Sequence, residues 1–288
     1  MMLSGEKDGA LIDKQIAFTF EHNVDESREL SRLRRRARTL AESGKVSEAL
    51  KCQRTVADLA PNDPEAFMQL GYLYQAASDI DAAASAFRSA CWLCPESTEG
   101  HEALSEMYLD ACLYDEAISE SKLILRLTPN SLAARDILST AYYQKGDIRR
   151  ALDVTGEMVR MAPLDPLSHY KRGVLHQHQG DWHNALEEFQ KAAEMAPDGS
   201  MERTEAESAI DALDQHQVHD ILMLATEDRI FQMQLSRNVE EATRERGYSL
   251  SEGAAAFIGQ VALDKLAGTF AHHLPGFIAV QSRPQRYN

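Results

Sequence analysis

The sequence predicts an all-α fold, an α-solenoid of helical hairpins closed by a capping helix and followed by a small helical extension. Three observations predict it. Prolines recur at Pro61, Pro95, Pro129, Pro163 and Pro197, each 34 residues after the one before. Alanines keep the same step at Ala49, Ala83, Ala117, Ala151 and Ala185. Between the ladders, apolar residues return with helical rather than strand spacing. A fixed period of this length marks a chain that stacks one supersecondary unit on the next.

Each unit opens with a first helix. Twelve residues before the ladder alanine stands a small residue (Ala37, Gly71, Ser105, Ser139, Gly173), and nine before it a large one (Leu40, Tyr74, Tyr108, Tyr142, His176). Small beside large lets two helices approach and interlock. A turn follows at Gly44, Ser78, Cys112, Gly146 or Gly180, each trailed by Lys45, Asp79, Leu113, Asp147 or Asp181, a permissive residue then a mostly polar one.

The second helix carries the ladder alanine. Apolar residues stand seven after it (Val56, Ala90, Ile124, Met158, Ala192) and ten after it (Leu59, Leu93, Leu127, Met161, Met195), which the spacing places on the alanine's side. Proline ends the helix, since it lacks an amide hydrogen and disfavours a helical predecessor.

With these small, aromatic, alanine and proline positions at a 34-residue period, residues from about Leu30 to Gly199 resemble five units of the tetratricopeptide repeat (TPR) family. The likeness is strongest in "EAFMQLGYLYQAASDIDAAASAFRSACWLCP" and "HYKRGVLHQHQGDWHNALEEFQKAAEMAP". The first unit departs at Arg36, where leucine is usual, and at Gln53, where an aromatic is usual; Ser121 and Thr155 depart at that second place too. Partial solvation is the expectation for that end unit. The resemblance implies a right-handed solenoid. The expected organisation is an N-terminal extension (1–29), five repeats (30–199), a capping helix (200–217), a helical hairpin region (218–268) and a tail (269–288).

The composition excludes several classes. A net charge of −15 opposes a nucleic-acid-binding body. The basic run Arg32, Arg34, Arg35, Arg36 and Arg38 reads as a solvated helix face pairing with nearby acids. Lacking a leader pattern and any long apolar run, the chain is expected to be cytoplasmic, with no membrane partner. GxGxxG, P-loop, HExxH and GxSxG motifs are absent, so the expected protein is not an enzyme.

Four cysteines, Cys52, Cys91, Cys94 and Cys112, form no disulfide framework. Cys91 and Cys94 make a CxxC at the end of a second helix, where the dipole raises a thiol pKa. They read as packing residues, with a metal or redox sensor as an alternative. His169 and His176 lie two turns apart on one face, but His176 occupies the unit's large-residue position. No metal and no cofactor are therefore expected.

The resemblance also implies a binding groove lined by first helices. Its places fall on Arg34 and Arg38, then Met68, Tyr72 and Gln75, then Glu102, Glu106 and Leu109. The fourth unit supplies Asp136, Thr140 and Tyr143, the fifth Tyr170, Val174 and Gln177. Tyrosines and methionine offer adaptable contact while the acids set a negative potential. The expected ligand is a basic and apolar peptide or helix of another protein. Members of the family that clamp a chaperone's terminal carboxylate do so with lysine, asparagine and arginine, whereas Glu102, Glu106, Asp136 and Thr140 stand at the corresponding places here, which disfavours that use.

After Pro197 the ladder stops. Residues 201–216 read as an alanine-rich amphipathic cap. Two helices should follow, one with Phe231, Leu235, Val239 and Ala242 on a face and stopping at Gly247, the next capped by Ser251 with Ile258, Val261, Ala262 and Leu266. The "ERGYSLSEG" join resembles small leader-type helical domains of bacterial peptide natural products. A second functional expectation follows: an enzyme accessory or regulatory protein whose C-terminal helices contact the partner.

Overall fold

A computed structural model describes residues 27–265, which are helical with no strand among them. The chain divides into two compact units, Met1–Lys145 and Gly146–Asn288. The first holds α1 (27–42), α2 (Val46–Leu59), α3 (Pro64–Ala76), α4 (Ile80–Leu93), α5 (Glu99–Asp110), α6 (Tyr114–Leu127) and α7 (Leu132–Gln144). The second holds α8 (Ile148–Met161), α9 (Pro166–His178), α10 (Trp182–Met195), α11 (Met201–Glu227), α12 (Arg229–Arg237), α13 (Val239–Glu245) and α14 (Glu252–Lys265). From α2 to α7, and again from α8 to α11, each helix packs on the next in the chain. Expectations for Leu11 to Phe20, Leu266 and the tail fall outside the described residues, as does the side chain of Ala262.

All five ladder alanines are fully buried. The small-beside-large rule takes a specific form. A Cβ on Gly71 would stand 2.5 Å from the Phe87 ring, and one on Gly173 would stand 2.7 Å from the Phe189 ring. Each ring is seated against the bare backbone of its hairpin partner. Where the glycine becomes Ser105, the aromatic position becomes Ser121, and both are buried. Gln53, at the same position in the first unit, is also buried, and its amide donates to the Ala66 carbonyl at 2.9 Å. Gln53 is therefore closed to water, while Arg36, the other departure in that end unit, is exposed, so the unit is partly solvated as expected.

Every hairpin turn residue adopts positive φ: Gly44 (75°), Ser78 (60°), Cys112 (59°), Gly146 (82°) and Gly180 (75°). The residue after it does a second job at three turns. Asp79, Asp147 and Asp181 cap the second helix, accepting from the amides of Ala82, Arg150 and Asn184. Lys45 and Leu113 make no side-chain cap.

One part of the apolar pattern differs from the expectation. Residues seven after the alanine are buried, but Leu59 is 48% exposed, and Leu127 and Met161 are exposed too. Seven residues turn a helix to within about 20° of the start, while ten leave it about 80° off. The later position is a rim, not the core.

The helix α11 runs unbroken through residue 217, so its second half builds the next core. Val218, Ile221 and Ala225 pack there with Phe231, Leu235, Ala242 and Ile258. The helix expected from Phe231 to Ala242 is two, α12 and α13, because Asn238 leaves helical geometry and caps the amide of Glu241. Gln217 clamps the α13–α14 join: its oxygen accepts from the Ser249 amide at 2.7 Å and its nitrogen donates to the Ser249 carbonyl at 2.8 Å. Asp214 accepts from the Ser251 amide at 3.0 Å, and burial raises its carboxyl above the usual aspartate range.

Candidate protein-binding face

The face begins with Phe87. Gly71 admits its ring, and Tyr72, the next residue of α3, stands edge-on to it with centroids 5.1 Å apart. Tyr72 thereby keeps 46% of its surface exposed. Partial burial raises its hydroxyl pKa, and Glu106, Glu65, Glu99 and Glu102 raise it further. The phenol is thus held protonated as a hydrogen-bond donor inside an acidic field. Glu102 and Glu106 were expected from the sequence. Glu65 and Glu99 were not, although each precedes a named residue by seven (Tyr72, Glu106), two turns along the same stripe.

Around this centre, Glu106 is exposed, whereas Glu102, Gln75 and Leu109 are half-buried. The helix α7 packs beside α5 and carries Asp136, Thr140 and Tyr143, all half-buried. Met68 is 6% exposed and belongs to the core. Arg34 pairs with Asp63, the N-cap of α3, and Arg38 with Glu42 at 3.0 Å. In the second unit, Tyr170 and Val174 pack on the cluster of Ala185, Leu186, Phe189 and Leu213 that also receives Ala209 and Ile210 of α11. Gln177 is half-buried nearby on α9.

A feature that the spacing analysis missed is a paired imidazole and carboxylate. His101 Nδ1 lies 2.7 Å from Glu120, and His169 Nδ1 lies 2.7 Å from Glu188. The second pair stands two periods after the first, so the 34-residue step was its signal. Glu188 also faces Arg172 at 3.4 Å and Lys191 at 3.6 Å, while His169 Nε2 meets the Pro163 carbonyl at 3.1 Å. These groups tie a first helix to its partner.

Burial and Glu120 push the Cys91 thiol up to about 11. A Cβ on Gly100 would stand 2.5 Å from its sulfur, so Cys91 fills the contact between α4 and α5. The four thiols are free. Among the described residues, no group of three or more His, Cys, Asp and Glu side chains is placed to hold a metal ion, and no helix is long and apolar enough to cross a membrane.

Paired helices with one polar, aromatic stripe define the class of helical-repeat interaction scaffolds. Two Tetratricopeptide repeat profiles match residues 34–101 and 138–213, together half of the chain. The chain belongs to the tetratricopeptide repeat family. Its fold is similar to that of MamA 41-end from Desulfovibrio magneticus RS-1, at 21% identity, a TM-score of 0.52, and coverage of 58% of this chain and 94% of that one. Another MamA crystal structure is 18% identical, with a TM-score of 0.52 and coverage of 58% and 91%. No curated protein matches the sequence.

Proposed function

We propose that the protein is a non-enzymatic binding module whose α3, α5 and α7 hold a basic, apolar or aromatic segment of another protein. The observation that carries this reading is Tyr72 set among four glutamates. Its ring offers broad contact at low rotamer cost, and its surroundings attract lysine or arginine. Peptide display on the intact chain tests it. Selected peptides should be enriched in Lys or Arg beside Leu or aromatic residues, and the Glu102→Lys, Glu106→Lys, Asp136→Lys variant should lose that enrichment. Identical selections from the two proteins would end the proposal.

A second reading places the partner on the C-terminal helices. It is favoured by three large exposed side chains, Met223, Ile230 and Met233, since methionine adapts to varied partner surfaces. Substituting all three with glutamine should then abolish partner capture while leaving peptide selection intact; unchanged capture would remove this reading.

A further inference from the structure

Trp92 is 79% exposed, although an indole is ordinarily among the more buried side chains. It does not stand alone. With Phe67 and Leu93 it walls a surface pocket of about 470 Å³ on the second repeat, between α4 and the start of α3. Phe67 and Tyr72 are five residues apart, about 140° around α3, so the pocket faces away from the acidic stripe. Arg88 supplies the one formal charge among the lining residues, and Ser85 and Ser89 add hydroxyls.

The guanidinium is already oriented. One nitrogen of Arg88 donates to the Tyr108 hydroxyl at 2.8 Å, and Tyr108 is itself buried. A guanidinium has five donors in a fixed fork, so an anchored one can still present a pair to a carboxylate with little further ordering. Tryptophan and arginine are also the residues in which interface energy concentrates.

We propose that this pocket is a second docking surface, for an acidic, apolar peptide segment of another protein, with a carboxylate on Arg88 and an apolar side chain between Trp92 and Phe67. The charge selects the occupant: it is opposite to that of the Tyr72 face and to the chain's net charge of −15. A single arginine cannot support nucleic-acid binding, which needs many phosphate contacts. The protein would then join a basic segment on one face to an acidic one on the other.

The probe is a blocked synthetic dodecapeptide of glutamate and leucine, titrated into the full chain carrying Trp182→Phe, so that emission comes from Trp92, one of two tryptophans. A saturable blue shift is expected. Arg88→Lys, which keeps the charge and loses the fork, should weaken binding at least tenfold. In the otherwise wild-type chain, Trp92→Ala, at an exposed position, should remove the heat of binding in calorimetry. The peptide with lysine in place of glutamate should be silent. The Glu102→Lys, Glu106→Lys, Asp136→Lys variant should bind the acidic peptide unchanged, so failure here is separable from failure of the Tyr72 reading. No saturable shift, an equal response to the lysine peptide, or indifference to both pocket substitutions would overturn the proposal. So would self-association of the chain that Trp92→Ala abolishes, because the occupant would then be a second copy.

Discussion

The third and fifth repeats carry the same plan two periods apart and execute it differently. The fifth has Phe189 seated on Gly173, Gly180 in its turn, Asp181 capping α10, and a deeply buried His169–Glu188 pair. The third has Ser121 where the ring would be, Cys112 forced to positive φ, Leu113 at the uncapped start of α6, and a shallower His101–Glu120 pair. Yet the third supplies Glu102 and Glu106 to the acidic stripe. Locally weaker choices thus coincide with the repeat that supplies three of the four glutamates around Tyr72.

The largest effect expected from breaking this contrast is in the ring. Phe189→Ala should cost about 3–5 kcal/mol in denaturant unfolding, whereas Ser121→Ala should cost almost nothing, because the Ser121 hydroxyl is buried without a hydrogen-bond partner. Comparable losses at the two sites would mean that Ser121 makes a core contact as costly to lose as the Phe189 ring. Next comes the imidazole–carboxylate contact. Glu188→Ala leaves the buried His169 ring without its hydrogen-bond partner and should cost about 1–3 kcal/mol; Glu120→Ala, at a wetter site, should cost about 1 kcal/mol or less. Thermal melts of the two variants, compared at one pH, decide the order.

Much of this contrast was legible in the sequence, because size and backbone freedom are residue properties. The glycine, serine and aromatic positions and the turn ladder could be read directly, and each turn residue is found at positive φ. Exposure was less legible. Met68 shares a stripe with Tyr72 one turn away, yet it is buried, and spacing alone cannot separate a groove residue from a core one. The rim leucines misled for a geometric reason, the 80° offset that accumulates over ten residues. Gln53 misled for a chemical one, since a polar side chain can replace an aromatic when a carbonyl such as that of Ala66 waits for it.

Two smaller substitutions sharpen the comparison by making the third repeat resemble the fifth. Leu113→Asp adds the missing cap and should stabilise by about 1 kcal/mol, read as a raised denaturant midpoint with unchanged slope. Cys112→Gly relieves the left-handed backbone, worth about 1–2 kcal/mol, against the greater unfolded-state freedom of glycine, about 0.4–1 kcal/mol. A net gain of about 0.5 kcal/mol is expected by chemical denaturation. A loss would show that the thiol holds the turn by contacts that outweigh its strain.

The unbroken helix α11 spans 27 residues, about 40 Å, with repeat packing at its start and the last core at its end. It works as an axle shared by two wheels. Cutting the chain at 217 would saw that axle through, strip Gln217 of the peptide unit it grips, and bare Val218's neighbours to water. Any attempt to run the repeats without the terminal helices must therefore keep the shaft to 227 and refit its oily side with polar residues. Otherwise clumping would be mistaken for loss of a binding partner.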